Sequence, residues 1–154
     1  MAILLQTSEY ALRAATLLAQ HAEPGPLDVA VLAKALGIPR NYLSKTLSQL
    51  VRAGVLESVR GKHGGFRLAQ PAGNLTLYDV VEPFEHFAGT RRCLLGQSVC
   101  NDRQPCAAHE GWKAIGERIV QFFRRTTLAD LARSRTRWPN AAVLTRALDG
   151  RVAD

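Results

Sequence analysis

Aromatic residues are few in this chain of 154 residues, at 6% of the total. No apolar run approaches the roughly 18 residues that a membrane-spanning helix needs, and no basic and then apolar leader opens the chain. We therefore expect a soluble, cytoplasmic protein with no membrane partner. Apolar residues still make up 47%, mainly alanine and leucine, which favours a mainly α fold with a helical core.

Cysteine is scarce as well, with three residues in the chain. Three cysteines cannot pair off completely, which argues against the disulfide framework of a secreted protein. Cys93, Cys100 and Cys106 lie in one short polar segment, and His109 follows them. The pattern C-x6-C-x5-C-x2-H supplies three thiolates and an imidazole, which are ligands for a soft metal centre.

Acidic residues are too few to balance the basic ones, 13 against 20, and the net charge is +7. Residues 34–67 carry much of this excess, since they hold seven Lys and Arg and Glu57 as their one acidic residue. A solvated basic face would explain the cluster. Clustered positive charge on a small helical domain also suits a polyanion such as DNA.

The basic stretch coincides with a predicted helix-turn-helix, which follows a first helix from Thr7 to about His21, capped by Thr7 or Ser8. Asp28 is expected to cap a short helix that stops at Gly37. Pro39 then opens a helix that runs to Ala53. One face of this helix is small, polar or basic, as a helix that reads base edges in the major groove requires. Its members are Arg40, Asn41, Ser44, Lys45 and Ser48.

Two strand-like runs around a glycine-rich basic tip, residues 60–65, predict a wing after the helix-turn-helix. Glycines let the backbone approach a phosphate or enter a narrow minor groove, and Arg60 and Lys62 supply the charge. A nucleotide-binding loop is the alternative for such a tip. No helix opens directly after it and no Lys-Ser/Thr pair follows, which disfavours that alternative.

Further helices are predicted from about Thr76, over residues 107–125 and over 127–131. The long helix has an apolar stripe that is expected to pair with a second copy in a homodimer; the stripe consists of Trp112, Ile115, Ile119, Phe122 and Phe123. The predicted organisation is a winged helix-turn-helix domain (1–74), a connecting helix with a cysteine loop (75–106), a dimerisation helix with a short final helix (107–133) and a polar tail (134–154).

Taken in order, these segments resemble the family of bacterial winged-helix regulators that includes the iron-sulfur cluster regulator and the nitric-oxide-sensitive repressor. The resemblance spans about residues 1–133. It rests on Tyr-Ala-Leu-Arg at 10–13, Asn-Tyr-Leu-Ser-Lys at 41–45, the wing at 59–65, Asp-Val-Val at 79–81, the three cysteines and Thr-Leu-Ala-Asp-Leu at 127–131.

The resemblance implies a homodimer that binds a palindromic double-stranded DNA operator and holds one iron-sulfur cluster per subunit through the three cysteines. Arg60 matches the family's minor-groove arginine. Further DNA contacts are expected from both elements of the domain, namely Tyr42, Ser44 and Lys45 on the helix and Lys62, His63 and Gly64 in the wing.

The fourth cluster ligand is open between two residues. His109 stands where the cluster-assembly regulator has its histidine, and Glu9 stands where the nitric-oxide repressor uses a carboxylate from the partner subunit. The gap between the first two cysteines is one residue longer than in the cluster-assembly regulator. By analogy, a histidine ligand favours a 2Fe–2S cluster, and a 4Fe–4S cluster is possible.

The predicted function is a transcriptional regulator, a repressor, gated by a cluster that senses nitric oxide, redox stress or iron supply. A zinc-structured regulator is one alternative, although zinc ligands usually come in closer C-x2–4-C pairs. Another is a metal-free thiol switch, in which Arg91 and Arg92 favour oxidation of Cys93. A distant alternative is an enzyme with Cys106 and His109 as nucleophile and base. Nothing else supplies an oxyanion hole, so no enzyme is expected.

Overall fold

The computed structural model describes residues 4–21, 25–85, 93–96, 102–134 and 138–139. These residues form a mainly helical structure with one two-stranded antiparallel sheet. In chain order its elements are α1 (Gln6–Gln20), α2 (Val29–Leu36), α3 (Arg40–Arg52), β1 (Leu56–Val59), β2 (Gly65–Leu68), α4 (Leu77–Glu85), α5 (His109–Arg125) and α6 (Leu128–Ala132). The predicted mainly α, winged helix-turn-helix fold is confirmed.

Helices α2 and α3 form the helix-turn-helix because their ends carry strong local signals. The Asp28 side chain accepts a hydrogen bond from the Ala30 N–H at 2.6 Å and so caps α2. Gly37 ends α2 in the left-handed conformation, with φ of 67°, which glycine adopts at little cost. One face of α3 is completely buried and consists of Leu43, Leu47 and Leu50, so the opposite face points away from the core.

The wing is joined to the helix-turn-helix at its base. Strands β1 and β2 pair from Leu56 opposite Leu68 to Val59 opposite Gly65. Leu27, just before α2, pairs with Phe66 through two backbone hydrogen bonds of 2.9 Å each. The orientation of the wing is therefore tied to the start of α2.

Helix α6 packs against elements from the first half of the chain. Residues Thr76 and Thr127 form a bridge, in which the Leu77 N–H donates to the Thr126 carbonyl and the Leu128 N–H to that of Leu75. Thr127 and Asp130 cap α6 reciprocally as a capping box. The last helix thus belongs to the same core as α1, against which it packs.

The predicted capping of α1 by Thr7 or Ser8 is wrong. The helix begins at Gln6, and the Leu5 N–H donates to Glu85 Oε1 at 2.7 Å. The fully buried Ser8 hydroxyl donates to the same oxygen at 2.6 Å. A carboxylate at the end of α4, distant in sequence, therefore accepts the hydrogen bonds of two donors at the start of α1.

Within the described residues, no helix combines the length and the apolarity required to span a membrane.

Gly65 should not tolerate a side chain. Its φ is 151°, and a Cβ built there would lie 2.2 Å from the Leu27 carbonyl oxygen. We expect Gly65→Ala to lower the free energy of unfolding by about 1–3 kcal/mol, measured by urea denaturation. Gly73→Ala is the matched control, because a Cβ at Gly73 has no neighbour within 4 Å. Equal stability of the two variants would contradict the pairing of Leu27 with the wing.

Candidate nucleic-acid interface and metal centre

The outward face of α3 carries the residues that the sequence predicts for reading DNA. Their side chains are exposed, apart from the half-buried Ser44; the set is Arg40, Asn41, Tyr42, Ser44, Lys45 and Ser48. Gln49 and Arg52 extend the same exposed groove toward the end of the helix and were not predicted as DNA contacts. Helical spacing alone could have found Arg52, which lies two turns after Lys45.

Tyr42 differs from its neighbours because it also contacts α1. Its hydroxyl lies 2.8 Å from the Thr7 hydroxyl, and its ring stands edge-on to that of Tyr10 with centroids 5.6 Å apart. The side chain remains 43% exposed. Tyr42 therefore fixes the start of α3 on α1 as well as lining the predicted DNA-binding face.

The tip of the wing presents Arg60, Lys62 and His63 to solvent. The Gly64 N–H closes the turn on the Gly61 carbonyl at 2.9 Å, and a Cβ at Gly64 would lie 2.4 Å from the Val59 carbonyl oxygen. On β2, by contrast, the Arg67 guanidinium is paired with Glu57.

The exposed cations of α3 and of the wing tip lie on adjoining elements of the domain. Among the described residues, none of Arg40, Lys45, Arg52, Arg60 and Lys62 is paired with a carboxylate. Five positive charges are thus available to an anionic partner, which is the arrangement that phosphate binding requires.

Two of the three predicted cysteine ligands, Cys93 and Cys106, lie in described parts of the chain. Both side chains are partly buried. The Cys93 carbonyl accepts from the Gly96 N–H at 3.0 Å, and the Cys106 carbonyl accepts from the His109 N–H at 2.9 Å. Each cysteine therefore opens a tight turn. Cys100 lies outside the described residues.

The two candidates for the fourth ligand have different surroundings. Glu9 lies in the first turn of α1, is 45% exposed and lies 3.9 Å from Arg13, one turn along the helix. His109 is the first residue of α5 and is 2% exposed. Its backbone turn also joins it directly to Cys106.

Asp102 was not predicted as a site residue, yet its carboxylate holds the His109 ring. Asp102 Oδ1 lies 2.9 Å from His109 Nε2 and accepts from Lys113 Nζ at 3.0 Å. The hydrogen bond from His109, followed by that from Lys113 and its positive charge, lowers the pKa of Asp102 to about 2. Asp102 is therefore ionised at neutral pH.

The donor set of this segment fits an iron-sulfur cluster. Iron in such clusters binds cysteine thiolates and, in some centres, imidazole, and the described part of the segment holds two cysteines and a buried imidazole. A carboxylate on the second nitrogen of the ring is the usual companion of a metal-binding histidine.

The predicted apolar stripe of α5 is divided between two surroundings. Phe123 is buried and Ile119 packs partly against the core. Trp112, Ile115 and Phe122 remain 38%, 52% and 57% exposed. The last three residues form an apolar face on the described part of the monomer, and such faces mark sites of protein association.

Comparisons with known proteins identify a family and several relatives of this chain. Residues 4–134 match the Rrf2 family, described as an iron-dependent transcriptional regulator. An HTH-type transcriptional regulator of Aquifex aeolicus is 35% identical over 131 residues, with 84% of this chain and 90% of that protein covered. The regulator IscR of Klebsiella pneumoniae is 30% identical over 128 residues, with 83% and 78% covered. The oxidized form of Staphylococcus aureus CymR superposes with a TM-score of 0.70 at 25% identity, with 88% and 99% covered.

Proposed function

Since the chain belongs to the Rrf2 family of transcriptional regulators, we propose that it is a repressor whose operator binding is controlled by an iron-sulfur cluster in the cysteine segment. Membership confirms the resemblance and makes the chain a DNA-binding transcriptional regulator and not an enzyme. The observation that carries the proposal is the joint presence of an exposed basic surface on α3 and the wing and of a segment in which partly buried cysteines are followed by the buried His109.

On the DNA side, α3 enters the major groove and the wing contacts the backbone. Asn41, Ser44 and Ser48 supply hydrogen-bonding groups for base edges, and Lys45 supplies a charged donor. Arg60 reaches the adjacent minor groove from the wing. Phosphate contacts made by the cations fix affinity and register, while contacts from α3 to base edges select the sequence.

A second copy of the chain covers the apolar face formed by Trp112, Ile115 and Phe122. Two copies paired through α5 present two α3 helices, which suits a palindromic operator with half-sites one helical turn apart. The exposure of three large apolar side chains on one helix supports this assembly.

Cys93, Cys100 and Cys106 would hold the cluster, with His109 as the fourth ligand or the partner subunit's Glu9 in its place. His109 is the favoured ligand because it lies one turn from Cys106 in the same chain. By analogy, histidine ligation favours a 2Fe–2S cluster over a 4Fe–4S cluster. When bound, the group supplies iron–thiolate bonds that nitric oxide, oxidants or a shortage of iron can disrupt. The iron-dependent description of the family supports this assignment.

Contacts among the described residues join the end of α4 to α3 by way of α1. Glu85, at the end of α4 and eight residues before Cys93, accepts hydrogen bonds from Leu5 and Ser8 at the start of α1. Thr7, in the same turn, contacts Tyr42 of α3. A movement of Glu85 would therefore be passed to α1 and, through Thr7 and Tyr42, to α3.

A metal-free thiol switch is the second candidate function. It is favoured by the similarity to CymR, of which an oxidized form has been solved, and by the partly exposed thiols of Cys93 and Cys106. It shares the DNA-binding surface with the first candidate. Metal content separates the two.

Anaerobically purified protein should be coloured and contain matching amounts of iron and acid-labile sulfide. Cys106→Ala should abolish the visible absorption because it removes a thiolate ligand, and Gln104→Ala, in the same segment, should retain it. His109→Ala should change the spectrum and Glu9→Ala should not; the reverse result would assign the fourth ligand to Glu9. Colourless wild-type protein that holds zinc, or no metal after reconstitution, would contradict the cluster.

Arg60→Ala should weaken operator binding by about 1–3 kcal/mol, measured by fluorescence anisotropy on labelled duplex DNA. The loss arises because a cation at the wing tip no longer enters the minor groove. Arg133→Ala, which removes an exposed arginine beyond α6, is the matched control and should bind as wild type does. Unchanged affinity in Arg60→Ala would rule out the wing as a DNA contact.

Ile115→Glu should convert the dimer to a monomer, because it places an unpaired charge in the proposed interface at a cost of about 3–5 kcal/mol. Sedimentation velocity measures the change. Gln121→Glu adds the same charge to another exposed face of α5 and should leave the dimer intact. If both variants sediment as wild type does, the interface lies elsewhere.

A further inference from the structure

We propose that Glu57 is an acidic restraint on the wing: its carboxylate holds the Arg67 guanidinium on the hairpin and so keeps this cation from the phosphates of bound DNA. The inference rests on the proposed function, in that it takes the wing as an element that contacts DNA. It assigns a role to two residues outside the predicted DNA contacts, namely a limit on the part of DNA affinity that does not depend on sequence.

Glu57 is set apart first by its charge. Residues 34–67 hold seven Lys and Arg, and Glu57 is their one acidic residue. Among the described residues, five of these seven cations have no carboxylate partner, whereas Arg67 is paired with Glu57. The acidic residue of the basic stretch thus neutralises one particular arginine of the wing.

The strand pairing of the wing holds the two side chains together. Glu57 of β1 lies directly opposite Arg67 of β2, and the Arg67 Nε–H donates to Glu57 Oε1. The preceding Leu56 is buried and the following Leu68 packs against the core. Because side chains alternate between the two faces of a strand, the ion pair lies on the outward face of the hairpin. Its members are 53% exposed for Arg67 and 44% for Glu57.

The ion pair lies close to the part of the wing that is proposed to contact DNA. Glu57 precedes Arg60 by three residues, which is roughly 10 Å along an extended chain. This separation is comparable to the Debye length of about 8–10 Å at moderate salt, so charges at the two positions act on the same phosphates. An arginine released at position 67 would therefore be attracted to the DNA backbone.

The carboxylate of Glu57 competes with phosphate for the same guanidinium. An ion pair this exposed contributes little to stability, so a phosphate can displace the carboxylate, but the displacement weakens binding. The carboxylate also repels the phosphates that approach the wing. A cross-strand pair of opposite charges could instead serve only to stabilise the hairpin. The two roles are separable, because they predict opposite effects on DNA affinity when Glu57 loses its charge.

The test measures binding of the full-length protein, as purified, to a labelled duplex that lacks the operator, by fluorescence anisotropy at several salt concentrations. Glu57→Gln should raise affinity about 3–10-fold near roughly 100 mM salt and steepen the slope of log K against log salt by about 0.9, the value for one added phosphate contact. Arg67→Gln should lower affinity, because it leaves the carboxylate of Glu57 unpaired beside the DNA. The double variant has the net charge of the wild type and should return to its affinity and slope.

Glu117→Gln is the matched control, because it removes the same charge from an exposed position of α5 and should leave affinity and slope unchanged. An equal gain in Glu117→Gln would overturn the proposal, since net charge alone would then explain the effect. Weaker binding in both single variants would also overturn it and would assign the pair to hairpin stability. Failure of the wing as a DNA contact is distinguishable, because Arg60→Ala would then bind as wild type does. A loss in Arg60→Ala without a gain in Glu57→Gln rejects the restraint alone.

Discussion

The packing of α1 against α3, α4 and α6 is the interaction on which the rest of the structure depends. The buried face of α1 includes Leu17 and Leu18 near its end and three alanines that are completely buried, Ala11, Ala14 and Ala15. Because alanine brings helix axes close together, small shifts of α1 are transmitted rather than absorbed. Helix α3 contacts α1 through Tyr42, and the end of α4 contacts α1 through Glu85. Both halves of the proposed function therefore share one rigid element.

Local signals explain why much of the fold could be predicted from the sequence. Asp28, Gly37 and Thr127 determine helix ends through contacts within a few residues, and the structure places those ends within two residues of the predicted ones. The glycine-rich tip predicted the wing for the same reason. Where the prediction was wrong, at the start of α1, the partner was Glu85, about 80 residues away, which no local pattern can reveal.

The candidate site was predictable as a set of residue types but not as a geometry. Thiolates and an imidazole at short spacing suggested metal binding, whereas the contacts of Asp102 with His109 and Lys113 depend on how the chain folds around the first turn of α5. The predicted apolar stripe of α5 was likewise divided by tertiary contacts, since Phe123 enters the core while Phe122 faces outward. Trp138 shows the same limit: it lies in the segment predicted as a polar tail, yet its Nε1–H donates to the Gln20 side chain at 2.7 Å.

Helix α5 carries three features along its length, namely a buried histidine, an exposed apolar face and an aromatic side chain in the core. Its 17 residues extend about 25 Å. His109 and its partner Asp102 lie at the first turn, the exposed face of Trp112 and Ile115 follows, and Phe123 anchors the last turn in the core. A rigid helix fixed at one end converts a small change at the other into a change of direction. In the proposed dimer, loss of the cluster from His109 would therefore re-orient the dimer face. The spacing of the two α3 helices, on which operator binding depends, would change with it.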